Sequence, residues 1–257
     1  MSGLLKFLPI GALVLSGAAL AHGQEAPSTP ASHEHKSGIL PKPDKAVLAP
    51  FDIVHTKITT EGNVATFHIA VSGKAGETKP AATGKFAGSE VFSYVWPTSI
   101  DTYEAGFDKN AGILALAVTS HPDFDDTPLF DENADGDTGN DGNLWHMHWV
   151  VLGPDEACGK GALKVKDIPD GSKPRLPKTW PGVPILLDSP GWQPVISADT
   201  VEVRVPFDNI AVVSNTSFDG VTAGLRVNAS AHAPLLCVAD VFKVASGDLS
   251  LPGKVND

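Results

Sequence analysis

Basic residues are scarce in this chain: 19 Lys and Arg stand against 30 Asp and Glu, a formal charge of −11. Phosphate binding needs a basic face, so nucleic acid and anionic membrane surfaces are excluded as partners. The same balance favours solubility and the attraction of cations. Cysteine is nearly missing, with only Cys158 and Cys237, too few for a cysteine-only zinc site. No segment after the N-terminal region approaches 18 uninterrupted apolar residues, so no membrane span is expected there. No window sustains a capped helical period. The H-E-x-x-H, G-x-S-x-G and strand-borne G-x-G-x-x-G signatures are all lacking, which leaves a hydrolase reading without a named nucleophile.

The N-terminus reads as an export signal. Lys6 supplies the positive charge, Phe7 to Leu20 is an uncharged apolar run, and Ala19-Leu20-Ala21 is a small-x-small cleavage site. Residues 1–21 are expected to be removed, leaving His22 first in a mature protein of the periplasm, the medium or the cell surface. In such a compartment Cys158 and Cys237 read as a disulfide, with two buried thiols as the alternative. Residues 22–48, rich in His, Pro and Ser, are expected to form a disordered tail. His22, His33 and His35 in that tail suit loose metal scavenging. Residues 49–257 form the expected domain.

From Pro50 onward strand follows strand, with 25 Gly and 21 Pro supplying turns. Nine segments carry strand patterns, from Phe51–Thr59 to Leu235–Val244. The expected class is all-β: a single antiparallel β-sandwich, immunoglobulin- or cupredoxin-like, with long loops. A closed β-barrel is the alternative. A Pro-rich excursion over 169–194 reads as a loop over a sheet edge or barrel end, or as the rim of a binding site.

Histidines carry the sharpest signal. In Leu144-Trp145-His146-Met147-His148-Trp149, residues two apart share a strand face, so His146 and His148 project side by side. Met147 then points away with the tryptophans and is no ligand. If Ile113–Ser120 pairs with this strand, His121 lands beside its start. His68, in VATFHIAVS, is a fourth candidate on the face turned to water or a polar cleft. Converging imidazoles suit copper, zinc, nickel or iron(II). His55 and His232 read as structural.

Between His121 and Leu144 lies a run with seven Asp and one Glu. Asp131, Asn133, Asp135 and Asp137 match the first half of an EF-hand calcium loop, with Gly136 at its turn. The twelfth position is Gly142 rather than Glu, and Asp141 falls one residue early, so the reading is an EF-like calcium loop in a β context or a solvated acidic loop.

Single histidines on separate strands plus an acidic loop in an exported β domain resemble the copper-repressible surface copper-binding proteins of methane-oxidising bacteria. The resemblance implies Cu(I) held by two strand histidines, matching His68 and either His146 or His148. That family's further ligand, an oxidised tryptophan two residues before the first histidine, has no counterpart, because Thr66 stands there. The functional expectation is an exported protein that captures, stores or delivers a transition metal, copper first and zinc next, with calcium in the loop. Its partners would be metal ions and another exported metal-handling protein. A metal-dependent oxidoreductase or hydrolase is the second reading, disfavoured because no acid or base is evident beside the histidines. A calcium-stabilised structural or surface-interaction domain is the third.

Overall fold

The computed structural model describes residues 37–228 and 235–257. The expected signal, His22, His33, His35 and His232 lie outside them. Within the described residues the strands are β1 (Ile53–Glu61), β2 (Val64–Val71), β3 (Glu90–Pro97), β4 (Ile113–Ser120), β5 (His146–Pro154), β6 (Leu163–Val165), β7 (Leu187–Asp188), β8 (Val195–Ser197), β9 (Thr200–Pro206), β10 (Ser217–Phe218), β11 (Val221–Val227), β12 (Leu236–Val244) and β13 (Gly253–Lys254). Among the described residues helix is confined to single turns, and none is long and apolar enough to cross a membrane.

Both architectures weighed from the sequence contribute. Strands β4-β3-β11-β12-β6-β5 pair antiparallel in that order, and β5 pairs back onto β4, closing a six-stranded barrel. The short β7 adds to the β6 side of β5. A separate four-stranded sheet, β1-β2-β9-β8, packs against one wall of that barrel. The barrel closure distinguishes this fold from a plain two-sheet sandwich.

Two apolar cores follow from strand alternation. Leu114, Leu116 and Val118 of β4 and Met147, Trp149 and Val151 of β5 face out of the barrel, onto Phe67, Ile69, Val201 and Val203 of the outer sheet. Phe67 sits edge-on to both Trp96 and Trp149, with centroids 5.9 and 5.8 Å away. Ala115, Ala117, Val150 and Leu152 of the same strands join a second cluster with Val91, Val221 and Leu225. Strands β4 and β5 are therefore buried on both faces, which is why they read as near-continuous apolar runs.

The disulfide joins Cys158 to Cys237, 79 residues apart, and ties the loop before β6 to β12. Residues 37–48, expected as tail, lie along the domain instead. Ile39 bridges to Thr56, and the backbone N–H of Asp44 donates to the Asp52 carboxylate at 3.0 Å. The apolar contacts and hydrogen bonds of these residues outweigh the polar composition that suggested disorder.

Candidate metal centre

His146 and His148 begin β5 on its inward face, and the register sets Thr119 opposite His146 and Ala117 opposite His148. His121 follows β4 immediately. Its backbone N–H donates to Gly142 O at 2.7 Å, which closes the base of the acidic loop. The closure demands glycine, because a Cβ at position 142 would stand 1.8 Å from the Phe124 carbonyl oxygen. Inside the loop, Asp125 accepts from the N–H groups of Thr127 and Asp141. This turn directs Asp126 back over the three imidazoles.

His121, Asp126, His146 and His148 offer one donor atom each, all within 4.8 Å of one another. Asp126 Oδ1 stands 3.2 Å from His121 Nε2, 3.2 Å from His146 Nε2 and 3.1 Å from His148 Nε2. The two Nε2 atoms of His121 and His146 are 3.0 Å apart. The ligand atoms of a tetrahedral zinc site, bonded at about 2.0–2.1 Å, stand about 3.3 Å apart; the four separations just given nearly match that spacing, and the group as a whole spans up to 4.8 Å. All three rings are buried, and the Asp126 side chain is only 11% exposed.

The outer hydrogen bonds decide which ring nitrogens face inward. His121 Nδ1 lies 3.0 Å from Phe124 O and His146 Nδ1 lies 2.9 Å from Leu144 O. A carbonyl only accepts, so both Nδ1 atoms carry the proton. Ser189 donates its hydroxyl to Asp126 O at 2.8 Å and is left to accept from His148 Nδ1 at 3.0 Å. Each neutral imidazole thus turns an Nε2 lone pair toward a carboxylate oxygen. Four electron-rich atoms meet at one buried point; the Thr119 hydroxyl, 3.2 Å from His146 Nε2, can donate to that ring, and a proton on one ring or a metal ion would satisfy the rest. Outer partners of this kind, which set tautomer and ring orientation, are those that metal-binding histidines use.

The electrostatics agree. Burial works against the Asp126 carboxylate, yet attraction to His148 and His121 outweighs it and holds the group well below the ordinary carboxylate range. Burial pushes His121 down, but the adjacent Asp126 charge prevails and raises it. His146 is pressed to about 4, chiefly by burial. Phe124 stacks flat on His121, 4.1 Å between centroids, and fixes its plane.

The other expected residues are placed elsewhere. His68 lies in the outer sheet and does not join the group. Its Nδ1 pairs with Glu202 at 2.9 Å and its ring is 5.3 Å from His55. It faces away from the core as alternation demands, but it is 7% exposed rather than open to water, with His55 and Glu202 packed beside it. His55 is structural: its Nε2 donates to Ser37 O at 2.7 Å.

The acidic-loop oxygens are turned onto their own loop. Asp131 accepts from the N–H groups of Asp135 and Gly136, Asn133 from Asp135, Asp135 from Asp137, and Asp137 from Gly139. Asp141 is fully buried and takes Glu132 N–H and Asn133 Nδ2.

Asp126 and Ser189 are the residues that sequence reasoning missed. Asp126 was one aspartate among seven, and no local spacing separates it from Asp123 or Asp125. Ser189 lies in the Pro-rich excursion, 41 residues from the His148 it supports, so only the excursion's possible role as a rim pointed to it. The lack of an acid or base beside the histidines is corrected by Asp126. Comparison with protein-family models, with curated proteins and with solved structures found no match for this chain.

Proposed function

We propose that this protein is an exported binder of one divalent transition metal, held at the end of the β-barrel by His121, His146, His148 and Asp126. The observation that carries the reading is the convergence of three Nε2 lone pairs and one carboxylate oxygen, each ring locked through its Nδ1–H. Three imidazoles and a carboxylate, with neither thiolate nor thioether, suit zinc(II) and copper(II) better than copper(I). The likeness to Cu(I)-binding surface proteins therefore extends to strand histidines on a β domain, and the ligand set proposed here differs from theirs. Four protein ligands in a buried site are the pattern of a closed centre, which favours capture, storage or delivery. A metalloenzyme is the second reading, because an apolar cavity reaches His121, Asp126 and His148. The disulfide accords with an oxidising compartment. Calcium in the acidic loop, through Asp131, Asn133, Asp135, Asp137 and Asp141, rests on their spacing.

Elemental analysis of the protein as purified tests this. About one zinc or copper per chain is expected, lost in His146→Ala/His148→Ala and retained in His68→Ala. Equal metal content in all three proteins, or none in wild type after incubation with either ion, would overturn it. Calcium retained by both variants and lost in Asp131→Ala/Asp135→Ala would support the loop site.

A further inference from the structure

The barrel interior holds a cavity of about 340 Å³. Six strands enclose a narrow barrel that side chains ordinarily fill. Here the inward positions are small where three strands meet: Thr119 of β4 faces Ser93 of β3, and Ser93 faces Ala223 of β11. Val95, Ala117 and Leu225 continue the wall. The one hydroxyl of this band on β3 is already used, since Ser93 donates to Ala223 O at 2.9 Å. The wall is thus apolar. At one end stand Asp126 and His148, whose Oδ1 and Nε2 lie 3.1 Å apart.

Apolar cavities of roughly 150 Å³ stay dry and take up benzene. A space of about twice that size accommodates on the order of ten heavy atoms, and specific ligand sites share this build of apolar walls with a few polar groups at one end. We propose that the barrel is a ligand chamber for a medium-chain aliphatic molecule whose oxygen head group lies at the His/Asp end. This rests on the metal-centre reading for the head group and on the cavity alone for the chain. One divalent ion over Asp126 leaves a net positive charge there, which attracts a carboxylate; without the ion, Asp126 and a proton on one ring are together neutral and supply no such attraction.

Octanoate and 1-octanol are the probes, titrated by calorimetry into zinc-loaded and zinc-free protein. Octanol is expected to bind both forms with similar affinity. Octanoate is expected to bind the zinc-loaded form at least about tenfold more tightly, an effect of one unit of charge at the head. Ala223→Leu, which adds bulk to the chamber from β11, a strand that carries none of the four metal-site residues, is expected to abolish both while leaving zinc stoichiometry unchanged. Protein that holds one zinc per chain yet binds neither probe overturns the chamber. Octanoate binding equally with and without zinc overturns the head-group assignment. Protein that takes up no zinc but still binds octanol, blocked by Ala223→Leu, overturns the metal reading and leaves the chamber standing.

Discussion

Ser189→Ala isolates the support of the metal centre from the centre itself. The hydroxyl links two of its parts, donating to Asp126 O at 2.8 Å and accepting from His148 Nδ1 at 3.0 Å. Without metal, the variant loses two buried hydrogen bonds, worth about 1 kcal/mol each net, so unfolding free energy should fall by about 1–3 kcal/mol. With metal the loss should be larger. Removing an outer partner of a ligating histidine weakens metal affinity about 10–100-fold. At free metal about 1,000 times the wild-type dissociation constant, binding stabilises wild type by about 4.1 kcal/mol. The variant then sits at only about 10–100 times its own constant and gains about 1.4–2.7 kcal/mol. The penalty should therefore grow by about 1.4–2.7 kcal/mol on adding metal. Urea unfolding followed by tryptophan fluorescence, in metal buffer and in chelator, reads both values. An identical penalty in the two conditions would refute the claim that Ser189 orients His148 for a metal.

Two further predictions concern the frame. Replacing both cysteines by serine opens a loop spanning 79 residues and should lower unfolding free energy by about 4 kcal/mol, measured by the same denaturation with the disulfide intact in the reference. Asp52→Asn should cost about 2–3 kcal/mol at neutral pH, because the Asp52 carboxylate takes Lys243 Nζ at 3.0 Å and the Asp44 N–H. Burial alone would raise this carboxyl, but those bonds and the Lys243 charge lower it. Its contribution is thus complete above the ordinary carboxylate value and disappears as pH falls through the lowered folded-state value. Stability measured from about pH 5 to pH 2 should fall less steeply in the variant; parallel acid limbs would show that Asp52 is not held low.

Local pattern alone determined much of this protein. Alternation in VATFHIAV and TVEVRV placed β2 and β9, and the two apolar runs placed β4 and β5, because strand period and turn chemistry act within a few residues. The same period set His146 and His148 on one face and Met147 on the other. Pairing of β4 with β5 brought His121 beside them, a step available from the sequence once the two strands were taken as neighbours. His68 fell outside that logic, since alternation specifies a face of a strand but not which sheet the strand joins. Only the closed barrel settles that His68 belongs to the outer sheet with Glu202. Tertiary structure likewise decided between Asp126 and its neighbouring aspartates. The choice depends on how the loop closes over Gly142 and on Ser189 arriving from the Pro-rich excursion, contacts between segments distant in the chain. The chamber beside them has the same origin: small residues at 93, 119 and 223 become adjacent only when β3, β4 and β11 line one barrel.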